Sequence, residues 1–134
     1  MSLDKMLQQA VSSVPECVAS GYVDMSSGML LGAKTVDSHP SEVLDLVSAA
    51  TADLFQGGNV TAIEKLFKKA RGVKDDGSHY FTEILVLSEN LMHVFLRGKK
   101  HEDHAFVVVC RKNANIGMVL SKSRMMLSEV EGAV

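Results

Sequence analysis

Residues 101–104, His101-Glu102-Asp103-His104, set two imidazoles and two carboxylates within four positions, a donor set that a divalent metal ion could share. The tetrad falls between two apolar runs, where a strand-to-strand turn is polar in any case, and no other Cys or His is close in sequence. A solvated turn accounts for it, and no metal site is assigned. The stretch GGNVTAIEK, from Gly57, has glycines and a lysine but not the spacing of a phosphate-binding loop, and no buried strand precedes it. It reads as a helix break. No serine has a nucleophile-elbow context, and no carboxylate pair stands against a pocket-like background. The expectation is a protein without catalytic residues or cofactor.

Cys17 and Cys110 stand far apart, each in an apolar strand-like run, so no disulfide framework or CxxC motif exists, and both read as small buried hydrophobes. His93 interrupts an apolar strand, a place for a hydrogen-bonded core or interface histidine. The one basic concentration is Lys65, Lys68, Lys69, Arg71 and Lys74, set against the apolar stripe of Ile63, Leu66 and Phe67. Such a face is either solvated or a docking strip for an acidic partner, with Lys65, Lys68 and Lys69 as its candidate contacts. Met118 and Met125 fall opposite the core stripe of the last helix and are the other candidate partner contacts, since methionine packs adaptably.

The totals narrow the class. The 134 residues fit one domain, 1–134, long enough to bury a core. Lys plus Arg is 14 and Asp plus Glu is 16, a net charge of -2, so no basic excess points to nucleic acid. Hydrophobic residues make up 46% of the chain, yet no apolar run approaches the roughly 18 residues of a membrane span. No secretory leader is evident, and a cytoplasmic home without membrane attachment is expected.

The elements that must position these residues follow from periodicity. Leu3, Met6, Leu7, Ala10, Val11 and Val14 have helical spacing, ended by Pro15. Strands are expected at 17–24 and 29–35, joined by a turn through Ser26, Ser27 and Gly28. Ser38-His39-Pro40 opens a helix running to about Gln56, closed by Gly57-Gly58. Thr61 and Glu64 form a capping box for a short amphipathic segment carrying Ile63, Leu66, Phe67 and Ala70. Residues 72–79 read as loop. Strands follow at about 80–88, 91–97 and 104–111, and Asn113-Ala114-Asn115 caps a last helix with Ile116, Val119, Leu120, Met126, Leu127 and Val130 on one side.

The last three strands are apolar on both faces, unlike an antiparallel meander with one wet face. Ile84 and Val86 oppose Leu85 and Leu87, and Phe106 and Val108 oppose Val107 and Val109. Leaving either face in water would expose about seven large apolar side chains, roughly 10–20 kcal/mol, against a domain's whole net stability of about 5–15 kcal/mol. Helices must therefore lie on both faces. The middle helix is wider than that task requires. Val43, Leu46, Val47, Ala50 and Leu54 form its expected core stripe, and Leu44, Thr51 and Phe55 form a second line beside it. Two covers are open to the second line: the 57–79 segment, or a second subunit approaching across small Ala49 and Ala52.

The element order, the double-sided meander, the hairpin ASGYVDMSSGMLLG and the segment NANIGMVLSKSRMML together resemble the roadblock/dynein light chain family. The resemblance spans about residues 3–130 and departs in the 57–79 segment, which is longer than a usual connection. It implies an α+β, profilin-like roadblock domain, αββαβββα, with a five-stranded antiparallel sheet of order 2-1-5-4-3. The first and last helices would lie on one face and the middle helix on the other. It further implies a homodimer joined through the middle helix and the third strand, which places Leu44, Val47, Thr51, Phe55, Phe81, Glu83 and Leu85 at the subunit interface. Family members are non-enzymatic scaffolds and regulators of small Ras-like GTPases, so a small GTPase is the implied partner. The rival reading is a small-molecule sensor, with a pocket near Tyr22 and His93.

Overall fold

The computed structural model describes residues 2–36, 41–74, 79 and 81–134, with residues 41–46 by their backbone only. The Ser38-His39-Pro40 helix start and Tyr80 lie outside the described residues, as do the side chains of Val43, Leu44 and Leu46. The order is α1 (Leu3–Ser13), β1 (Cys17–Asp24), β2 (Met29–Thr35), α2 (Ser41–Gln56), α3 (Gly58–Ala70), β3 (Glu83–Leu87), β4 (Leu91–Arg97), β5 (His104–Arg111) and α4 (Ile116–Gly132).

Local chemistry sets the element ends. The Ser2 side chain caps α1 by accepting from Lys5 N, and after Pro15 the chain turns through Glu16 at φ 55° into β1. In the β1–β2 turn, Asp24 Oδ1 accepts from Ser26 N at 3.0 Å, and Gly28 supplies the positive φ of 75°. Asn115 caps α4 by accepting from Met118 N at 3.1 Å. The segment after Gly57 forms a full 13-residue helix, α3, rather than a short excursion.

All five strands join one antiparallel sheet in the order β2-β1-β5-β4-β3. Its strands alternate between two cores. Tyr22, Met92, Val94, Leu96, Phe106, Val108 and Cys110 point to one face, where α1 brings Met6, Leu7 and Ala10 and α4 brings Val119, Met126, Leu127 and Val130. Val23, Phe95, Ala105 and Val107 point to the other, where α2 brings Phe55. Helices on both faces are thus present as the packing argument requires. Ser20, a polar residue in the first core, donates its hydroxyl to Leu7 O at 2.8 Å and fastens α1 to β1. The cover fails at the edge, where β3 leaves Leu85, Val86 and Leu87 exposed.

One buried carboxylate fixes the β4–β5 turn against α4. Glu131 accepts from the backbone N–H groups of Lys99, Lys100 and His101 at 3.0, 2.9 and 2.9 Å. Burial acts to raise its pKa, but these three donors outweigh it and hold the carboxyl below its ordinary value. Gly98 makes the wrap possible, since a Cβ there would stand 2.3 Å from His101 O and 2.7 Å from Glu131 Oε2.

Gly98→Ala should lower stability by about 1–3 kcal/mol in urea unfolding, because backbone at that distance cannot yield without moving the turn. Glu131→Gln should destabilise at neutral pH by about 1.5–3 kcal/mol. The lowered pKa means that the carboxylate's contribution is complete above the ordinary range near pH ~4.3 and is lost as pH falls through the folded value. The gap between wild type and Glu131→Gln should therefore close in acid, as unfolding curves across that range would record.

Candidate interaction surface

Helix α2 meets the sheet with the line that the hydrophobic pattern assigned outward. Ser48, Thr51 and Phe55 are completely buried and Ala52 is half-buried, whereas Val47 and Leu54 are 40% and 38% exposed and Ala50 faces water beside them. Thr51 and Phe55, expected at a subunit interface, are buried in their own chain, and Val47, expected there too, is outward. The rotation has a physical cause. Phe55 fills the second core beside Phe95 and Val107 and lies under the Arg97 guanidinium, 4.9 Å from its ring centroid. Arg97 Nη2 and Nη1 also donate to Phe55 O and Gln56 Oε1, at 3.0 and 3.2 Å, at the negative end of the helix. The Thr51 hydroxyl is satisfied inside the helix by Val47 O at 2.8 Å, so burying it leaves no polar group stranded.

On β3 the expected interface residues divide. Leu85 is exposed, with Val86 on the opposite face and Leu87 beyond it, so the open edge is apolar along its last three residues. Glu83 is bound within the chain by a two-pronged pair with Arg124, both contacts 2.7 Å, and Arg124 holds its pKa down. Phe81 packs inward against the second core and meets the Phe67 ring edge-on at 6.4 Å, which places it beneath α3 rather than at a free surface.

Helix α3 is inverted relative to a surface helix. The expected capping box is not formed: Gly57 is the N-cap without a side-chain bond, and Thr61 Oγ1 donates to Gly58 O at 3.0 Å. Glu64 instead turns inward, accepts from Phe81 N at 3.1 Å and lies 3.8 Å from His79 Nδ1. Lys68, expected in the basic strip, is buried at 7% exposure, so only Lys65 and Lys69 of the three candidate lysines are outward. A helix that tucks two charges underneath must turn its apolar stripe out, and Ile63, Leu66 and Phe67 are exposed, Leu66 to 64%. Gly57 permits the tight α2–α3 junction, since a Cβ would stand 2.7 Å from Asp53 O.

Met118 and Met125 are exposed on the outer side of α4, where their spacing puts them. Tyr22 and His93 do not share a pocket. Tyr22 is fully buried on the α1/α4 face and hydrogen-bonds with His104 Nδ1 at 2.9 Å, while His93 stacks on Phe95 on the other face. Strand parity separates them, and burial lowers the His93 pKa. The 101–104 turn spends its groups separately: His101 N on Glu131, His104 on Tyr22, and Asp103 beside His79 at 3.9 Å. Among the described residues no three His, Cys, Asp or Glu side chains converge on a metal-sized site. No helix among them is long and apolar enough to cross a membrane. A cleft of about 500 Å³ opens beside Arg97, Lys99, Glu102 and Arg124. A narrow apolar recess of about 50 Å³ lies between Val47 and Ser48 of α2 and Gly21, Leu30 and Ala33 of the sheet.

No protein-family model matches the sequence, and no curated protein matches it. Solved structures do. The chain is similar to a Roadblock/LC7 domain from Streptomyces avermitilis at TM-score 0.66 and 14% identity, over 98% of this chain and 97% of that one. An MglB described with a tetrameric arrangement superposes at TM-score 0.68 and 19% identity, over 97% of this chain and 88% of its own. Profilin II of Acanthamoeba castellanii follows at 0.58 and 10% identity, over 98% of each. The fold is therefore that of roadblock domains, within the wider profilin-like arrangement.

The orientation of α2 rests on Arg97. Arg97→Lys, which keeps the charge but loses the fork over Phe55, should destabilise by about 1.5–3 kcal/mol, while Lys65→Ala and Lys69→Ala should stay within about 0.5 kcal/mol by urea unfolding.

Proposed function

We propose that this chain is a non-enzymatic interaction module that pairs with a second copy of itself through α2 and β3, and that the pair regulates a small Ras-like GTPase. The observation that carries the reading is an outward α2 stripe, Val47, Ala50 and Leu54, together with an apolar edge at Leu85, Val86 and Leu87 that no further strand among the described residues pairs with. An open edge strand presents free backbone donors and acceptors as well as apolar side chains, and pairing with a twin satisfies both. A two-fold contact is self-complementary, so one stripe and one edge suffice for both sides. The small Ala49 and Ala50 let two helices approach closely. Thr51 and Phe55 support the surface from beneath, and Glu83 is reserved for Arg124.

The GTPase part of the reading comes from the family resemblance, and a neighbour's tetrameric arrangement supports assembly in this fold. Outside the pairing surface, Met118 and Met125 on α4 and Lys65 and Lys69 on α3 remain available to a further partner.

Sedimentation at micromolar concentration should give a dimer for the wild type and a monomer for Val47→Asp/Leu54→Asp, with an unchanged far-ultraviolet spectrum. Phe55→Ala should instead lose about 3–5 kcal/mol of stability, because it empties a core site. A wild type that sediments as a monomer would sink the pairing. A Ras-like GTPase encoded beside the gene should be retained by the immobilised wild type in one nucleotide state; equal retention by a surface blocked with an unrelated protein would remove the GTPase assignment and leave the pairing intact.

A further inference from the structure

The two thiols, 93 positions apart in sequence, are direct cross-strand partners: Cys17 at the start of β1 stands opposite Cys110 near the end of β5. Opposite residues of an antiparallel pair lie roughly 4.5–5.5 Å apart at Cα, inside the disulfide range of about 4.4–6.8 Å. Both side chains point to the same α1/α4 core, as a bridge requires, and both are free thiols in this structure. The sheet register shifts between Cys17 and Ala19, so the backbone on the Cys17 side is already irregular where a bridge must adjust. The two are unequal in access: Cys17 retains 8% exposure beside the α1–β1 turn, while Cys110 has none. They are also unequal in acidity. The Cys110 thiol is the main influence lowering the Cys17 pKa, whereas the same contact and burial push Cys110 up.

We infer that Cys17 and Cys110 form a hydroperoxide-sensitive dithiol site that closes reversibly into an intrachain disulfide between β1 and β5. Cys17, as thiolate, attacks the peroxide O–O bond; its sulfur gains oxygen as a sulfenic acid, and the departing hydroxide takes a proton to become water. Cys110 then attacks that sulfur as its own proton leaves, the S–O bond breaks, and the hydroxide takes that proton as a second water. Two thiols and one hydrogen peroxide thus become one disulfide and two waters. The bridge ties β1 to the central strand β5 on the face away from α2, so it does not depend on the proposed pairing surface.

The test is the full chain treated with a several-fold molar excess of hydrogen peroxide, then denatured and analysed by thiol titration, intact mass and non-reducing electrophoresis. Expected are loss of both thiols, a mass lower by two hydrogens, migration as a single chain, and full reversal by dithiothreitol. In Cys110→Ser, dimedone should trap a sulfenic acid at Cys17. Two thiols still titratable after treatment, oxygen gained without hydrogen lost, or bridges only between chains would each overturn the proposal. These readouts on the wild type decide it even if the serine variant fails to fold.

Discussion

A sheet that is apolar above and below is the constraint from which the rest of this structure follows. β5 expresses it most fully: Phe106, Val108 and Cys110 enter one core while Ala105 and Val107 enter the other, and its neighbours β1 and β4 share that double burial. Neither core is supplied by the sheet alone. α1 and α4 close one side, α2 closes the other, and the polar chain ends are displaced to the rim.

Three buried charges at that rim orient the lids. Glu131 gathers the backbone donors of the β4–β5 turn beneath α4. Arg97 grips the end of α2 from the tip of β4. Glu64 fastens the start of the β3 segment under α3 by accepting from Phe81 N. Each charge makes hydrogen bonds where it is buried, as burial of charge demands, although Arg97 Nε is left without a partner among the described residues. Each also selects one rotation of the element it holds. The outward faces of α2 and α3 are therefore consequences of interior chemistry rather than of surface composition.

That selection explains why exposed apolar surface emerges where it does. Once Arg97 and Phe55 lock the inner side of α2, the remaining apolar line, Val47 with Leu54, has no place in the core. Once Glu64 and Lys68 go beneath α3, Ile63 and Leu66 must face out. Beside these, β3 ends the sheet, paired with β4 on one side and with no strand of the described residues on the other. Surplus apolar width and an unpaired edge thus come from the same folding decisions.

Strand bounds at 17–24, 29–35, 91–97 and 104–111, the breaks at Pro15 and Gly57, the Asn115 cap and the need for helices on both faces were all legible along the chain. They depend on local backbone preference and on a period of two or 3.6, which sequence carries directly. What was not legible is which of two apolar lines on α2 turns inward, that Thr61 and Glu64 abandon a capping box, that Lys68 is buried, and that Tyr22 and His93 part to opposite faces. Hydropathy ranks Val47 and Leu54 at least as highly as Thr51 and Phe55. Only the shape of the space beside Phe95 and the reach of Arg97 favour the latter, and the facing of Cys17 onto Cys110 likewise exists only once β1 and β5 are paired. Sequence alone determined the elements and the burial they require; tertiary packing decided which faces meet, because complementarity of volume and hydrogen bonding belongs to pairs of elements and not to either one.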